Sequence, residues 1–201
     1  MRPSLCCIIS LFLLFSSCSN DVIDIRKDES IYKNGDLVFR LGDSSVSNAV
    51  MVADESSDYS HIGIVVVIKS QPYIIHACPS DLDEFSHENT VKMDDVSDFF
   101  SSKNAINGAL LRYSDEHVAE QAANSALRLF NKNIPFDYNL NSADSLEMYC
   151  TELVEYCYLQ QGVSLTNNER HDVMIPGFDI DNCILISDFL RSDKLELIGS
   201  F

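Results

Sequence analysis

Positive charge is scarce in this chain. Only 14 Lys and Arg stand against 31 Asp and Glu, for a formal net charge of -17 over 201 residues. No basic cluster offsets that balance, and phosphate binding needs one, so a nucleic-acid role is disfavoured. The acidity itself reads as a solvated surface. Long apolar runs are also missing. The longest, Leu5 to Phe15, is broken at Ser10 and falls well short of the ~20 residues a membrane-spanning helix needs. There is no C-x-x-C pair, which weighs against a zinc site, and the cysteine spacing is not that of a disulfide scaffold. No internal repeat, low-complexity tract or cofactor fingerprint is present. What is present is core material: 46% apolar and 9% aromatic residues, enough for one well-packed domain.

The N-terminal segment reads as a processed leader. Met1-Arg2 is basic, Leu5 to Phe15 suits a secretory signal, and Phe15-Ser16-Ser17-Cys18 resembles the bacterial lipoprotein box. On that reading Cys18 is lipidated and residues 1–17 are removed; ordinary secretory cleavage nearby is the alternative. Ser19 gives no inner-membrane retention signal of the Asp type, so the expected location is the cell envelope, anchored to the outer membrane. Losing Arg2 takes one positive charge from -17 and leaves -18, and Cys6 and Cys7 go with it. Residues 18–33, polar and charged, read as a tether, and 34–201 as one domain. Of the remaining cysteines, Cys150 and Cys157 are two helical turns apart, about 10 Å, too far for a bridge.

Asn34-Gly35 is a turn signal, and the alternation Leu37, Phe39, Leu41 predicts a first strand. Val46, Ala49, Val50 and Ala53 predict a short helix. His61 to Ile68 is dense in β-branched residues and predicts a buried central strand. Lys69 to Pro72 is a turn, and Tyr73 to Ala77 a returning strand, so His61 and His76 fall at one end of a hairpin. Asp81 to Asp94 reads as polar loop with His87 at the surface. Val96, Phe99 and Phe100 predict a short helix, and Gly108 to Tyr113 a strand. A longer helix follows, capped by Ser114-Asp115-Glu116 and carrying Val118, Ala122, Ala126, Leu129 and Phe130 on one face. After Gly162 come a polar loop with Pro176-Gly177, a short helix around Ile184 to Leu190 and a last strand, Leu195 to Ile198. The pattern is α+β.

One helix carries the chemical interest. Cys150, Leu153, Val154 and Cys157 recur at i, i+3, i+4 and i+7, one buried face of a helix stopped by Gly162. Ser142, Asp144 and Ser145 are candidate N-caps, which puts Cys150 in or near the first turn, where the helix dipole favours thiolate. A core cysteine is the bland reading of that position taken alone. A thiol at a helix start and a histidine opening a buried strand are also the two halves of an activated cysteine nucleophile.

The ordered motifs favour the second reading. Gly35-Asp36-Leu37-Val38, Ser60-His61-Ile62-Gly63-Ile64-Val65, Tyr73-Ile74-Ile75-His76-Ala77, Pro135-Phe136-Asp137 and Tyr149-Cys150-Thr151-Glu152-Leu153-Val154 together resemble the circularly permuted NlpC/p60 hydrolases of the YaeF/YiiX type. The resemblance runs from about Gly35 to Gly162. It implies a permuted papain-like fold, with an antiparallel sheet packed against the cysteine helix and the histidine ahead of the cysteine in the chain. It implies Cys150 as nucleophile, His61 as general base and acid, and His76 as the third polar group, where many relatives look to have Glu. Asp36 or Glu152 is a possible substitute for that third group. The Cys150 backbone N–H is a candidate oxyanion donor, with Tyr59 or Tyr149 supplying a second. Together with the leader, which supplies the lipid anchor, the resemblance points to an anchored amidase or peptidase acting on cell-wall peptides or related acyl-amides, with no cofactor and no metal. Three alternatives stand beside it: a lipid ester or acyl hydrolase or acyltransferase, an inactive ligand-binding lipoprotein, and a metal site built from His61, His76, Cys78 and Cys150.

Overall fold

The computed structural model describes residues 23–79, 90–142, 146–175 and 178–201. The predicted leader with Cys18, the N-cap candidates Asp144 and Ser145, His87 and the Pro176-Gly177 pair lie outside the described residues. Six strands, β1 (Leu37–Leu41), β2 (His61–Ile68), β3 (Gln71–Ala77), β4 (Val91–Asp95), β5 (Asn107–Tyr113) and β8 (Leu195–Ser200), form one sheet in the order β4-β3-β2-β1-β5-β8. Every pairing in it is antiparallel. A second antiparallel pair joins β6 (His171–Ile175) to β7 (Phe178–Cys183).

Strand alternation gives the large sheet two apolar faces. Leu37, Phe39, Ile62, Ile64, Val66 and Ile75 face α3 (Glu116–Asn131) and α4 (Cys150–Leu159), meeting Ala122, Ala126, Leu153, Val154 and Tyr158. The small residues of α3 let it lie close: a Cβ at Gly35, which has φ +83°, would collide with the Ala119 backbone. Val38, Val65, Ile74 and Leu110 point the other way, under Phe99 of α2 (Val96–Phe99), Phe100, Ile25 and Tyr32.

Three segments differ from the sequence expectation. Residues 23–33 are not a free tether: Ile25 and Tyr32 are buried in that second face, and the Tyr32 hydroxyl donates to the Ile25 carbonyl at 2.9 Å. Burying two such side chains contributes roughly 1.5–3 kcal/mol each, enough to hold a short polar segment down. The stretch before Asp95 is a strand, not loop, because Val91 and Met93 alternate inward while pairing with β3. The hairpin β6–β7 likewise replaces expected loop. The remaining elements form close to where they are expected, including α1 (Ser45–Ala53) and α5 (Ile186–Leu190).

Helix α4 starts at Cys150. Its N-cap is Tyr149, with no side-chain cap, so Ser142 does not fill that role. Leu153, Val154 and Cys157 are fully buried, as the helical spacing predicts, and Cys150 is half-buried at the open end.

Candidate active site

β2 and β3 place the two histidines together. His61 and His76 both point to the face that carries Phe99, with ring centroids 5.9 and 5.3 Å from the Phe99 ring. Between them in the sheet lies Gly63, and a Cβ there would approach Ile74 Cγ2 to 2.6 Å and His76 Cβ to 3.2 Å. The glycine of the His-x-Gly motif therefore clears the space in which the imidazoles meet. His61 Nε2 and His76 Nδ1 are 2.8 Å apart, and His76 Nε2 lies 2.9 Å from Asp94 Oδ2 on β4.

The proton positions in this chain follow from its far end. Burial pushes the Asp94 carboxyl up, but the hydrogen bond and charge of His76 outweigh that and hold it below its ordinary value. Asp94 is then an ionised acceptor, so His76 Nε2 carries a hydrogen and donates it. Burial pushes His76 down, against the pull of Asp94, so its ring is neutral and Nδ1 is a bare acceptor. His61 Nε2 must therefore donate to it. Burial, with Arg40, His76 and Lys92, also pushes His61 well below its ordinary value, so its ring is neutral too. The one nitrogen left with a free lone pair is His61 Nδ1, which is what a general base requires.

Cys150 reaches the same end of the sheet from the opposite face. α4 packs against β2, and the Cys150 sulfur accepts from the backbone N–H of Ile62, the residue after His61, and from those of Thr151 and Cys150 itself. Burial pushes the thiol up to about 11, with Cys78 adding to the rise and those backbone N–H groups opposing it. The resting groups are thus a neutral thiol held at the Ile62 N–H and a neutral imidazole on the preceding residue of the strand. The helix start does not by itself make a thiolate, contrary to the sequence expectation, because desolvation of the anion exceeds the stabilisation from the helix N-terminus.

The other predicted residues sort themselves by geometry. The Tyr149 hydroxyl accepts from the Ile184 N–H at 2.7 Å and bonds Ser142 Oγ at 2.6 Å, which makes it a clamp holding the chain beside α4 and occupies it as an oxyanion donor. The Tyr59 ring packs on Phe39 at 5.7 Å, on the α4 side of the sheet. Asp36 is buried in a two-pronged ion pair with Arg112, both contacts 2.7 Å, and takes no part in orienting His61. Glu152 is buried in the first turn of α4, and the carboxylate that serves the histidines is Asp94 instead. Sequence reading missed Asp94 and also Arg40. Arg40 pairs across the strands with His61, lies over the Phe99 ring at 4.3 Å and donates to the Phe99 carbonyl at 2.8 Å. The faint signal for Asp94 was the Val91-x-Met93 alternation, which puts residue 94 on the other face of the sheet, with His76.

A family model described as permuted papain-like amidase enzyme, YaeF/YiiX, C92 family, matches residues 31–198. The chain belongs to this family of permuted papain-like amidases. A permuted papain-like fold agrees with the order in which His61 precedes Cys150 in the chain. The uncharacterized protein YiiX of Escherichia coli strain K12 is 26% identical over 129 residues, which is 63% of this chain and 57% of that relative, so the match spans less than two thirds of YiiX. The crystal structure of metalloprotein yiiX from Escherichia coli O157:H7 has the same fold, with a TM-score of 0.68 at 18% identity, covering 84% of this chain and 97% of that one.

Proposed function

We propose that this protein is a cysteine amidase of the cell envelope that cleaves an amide bond through a thioester on Cys150. The observation that carries the reading is the chain of contacts Asp94–His76–His61, at the end of the strand whose Ile62 N–H holds the Cys150 sulfur. As Cys150 attacks the amide carbon, His61 Nδ1 takes the thiol proton. The imidazolium that forms keeps its Nε2–H on His76, and His76 keeps its own on Asp94, so the positive charge is spread toward a carboxylate. The tetrahedral oxyanion is met by first-turn N–H groups of α4, beginning with Cys150 itself, with Tyr59 as the second candidate donor. His61 returns the proton to the departing amine as the C–N bond breaks. A water then attacks the thioester with His61 again as base, and the acid and the Cys150 thiol are released.

The leader that ends before Cys18 supports an outer-membrane anchor, and with it a cell-wall peptide or related acyl-amide as substrate. The test is turnover of muropeptides and N-acyl amides by wild type and Cys150→Ala, with mass spectrometry for an acyl adduct on Cys150. The reading expects hydrolysis and a trapped adduct in wild type only. Turnover by Cys150→Ala would overturn it.

A further inference from the structure

The catalytic histidines have a second neighbour that the amidase chemistry leaves unused. Cys78 follows the last residue of β3, on the same face as His76. One nitrogen each from His61 and His76 and the Cys78 sulfur all lie within 4.8 Å of one another. We propose that these three side chains bind one soft divalent cation of the zinc class, and that its binding withdraws His61 from Cys150. The consequence for Cys150 rests on the amidase reading; the binding does not.

The donor set fits that class of ion. Two imidazole nitrogens and one thiolate are ligands that zinc takes at about 2.0–2.1 Å and 2.3 Å, leaving the fourth tetrahedral position for water or a fourth side chain. Two nitrogens on one tetrahedral zinc sit about 3.3 Å apart by those bond lengths. The 2.8 Å His61–His76 pair therefore opens by only about 0.5 Å to admit the ion. Asp94 already holds His76 Nε2–H, the carboxylate–histidine arrangement that fixes a ligating ring with its other nitrogen toward the metal. The positive charges facing the site are Arg40 and Lys92. The Cys78 thiolate and the Asp94 carboxylate offset them.

The other His-acid cluster, Glu169, His171 and Asp188, has no such room. Arg191 Nη2 already occupies it, 2.6 Å from Asp188 and 3.5 Å from Glu169.

Proton accounting shows why the ion would silence the enzyme. Metal on His61 Nε2 needs that lone pair, so the ring proton moves to Nδ1. The Cys78 proton leaves to solvent as the S–metal bond forms. With Nδ1 protonated, His61 no longer accepts the proton of Cys150.

Cobalt(II) titration of the purified full chain tests this without any substrate. The expected result is one ion per chain with a thiolate-to-cobalt charge-transfer band, reversed by zinc. The band should vanish in Cys78→Ser and in His61→Gln, persist in Cys150→Ala, and need roughly 10- to 100-fold more metal in Asp94→Asn. A melting curve on each variant separates loss of ligand from loss of fold, and His61→Gln decides the matter if Cys78→Ser does not fold. A band that persists in Cys78→Ser and vanishes in Cys150→Ala would put the ion on the Cys150–His61 pair and overturn the proposal, as would no band in wild type. If the cobalt results hold and no amide is cleaved, the metal site stands and the amidase reading falls.

Discussion

Two histidine–aspartate pairs in this protein have the same contact and opposite surroundings. His76 Nε2 meets Asp94 at 2.9 Å, and His171 Nε2 meets Asp188 at 3.0 Å. In the first pair the buried partner is the ring, and its other nitrogen touches a second imidazole, the base of the proposed mechanism. In the second the buried partner is the carboxylate, and its remaining capacity goes to Arg191 and to the Leu185 N–H at the start of α5. In the proposed mechanism the first pair passes orientation on to the reacting group. The second ties a hairpin strand to a helix. A His–Asp contact is therefore not a functional signature by itself; what the second nitrogen faces decides.

The comparison can be broken most sharply at His61. His61→Ala should lower amide turnover on the order of 10²- to 10⁴-fold, the usual worth of a positioned base, and a melting curve separates that loss from the stability cost of leaving His76 Nδ1 without its partner. Asp94→Ala should follow with a smaller loss, roughly 10- to 100-fold, because it acts through two rings. Its counterpart, Asp188→Ala, should leave turnover within about twofold and cost about 1–3 kcal/mol of stability through the lost α5 cap and unpaired partners, read by urea denaturation. Asp36→Ala extends the contrast: removing one partner of the buried Arg112 pair should cost about 3–5 kcal/mol and leave the pH profile of any surviving activity unchanged.

The smallest expected effect is in pH. Burial depresses the folded pKa of both His61 and His76, so the unfolded chain binds protons that the folded chain refuses. Stability is then full above the ordinary histidine value of 6.5 and falls as the pH drops below it. Melting temperatures between pH 7.5 and pH 5.5 should decline in wild type and less in a His61→Ala, His76→Ala double variant. An equal decline in both would place the pH dependence elsewhere.

Much of this was legible in the chain. The β-branched run after His61 fixes a central strand, and the spacing of Cys150, Leu153, Val154 and Cys157 fixes the helix that packs on it. Both rest on long, strong periodicities. Asp94 was hidden because its strand offers only two apolar residues within an acidic stretch. The docking of residues 23–33 was hidden because Ile25 and Tyr32 are isolated and show no period. The depressed acidity of Cys150 was invisible for a different reason. Helix position is written in the sequence, but desolvation depends on which elements close over the sulfur.

The central claim is that Asp94, His76 and His61 form one proton chain serving Cys150. Single-turnover acylation by p-nitrophenyl acetate, followed by nitrophenolate release with a chelator present, tests it without knowledge of the natural substrate. The account predicts acylation that needs Cys150, persists well below pH 6.5 because His61 stays neutral, and falls stepwise in Asp94→Ala and His61→Ala. Equal acylation rates in wild type and His61→Ala would contradict it.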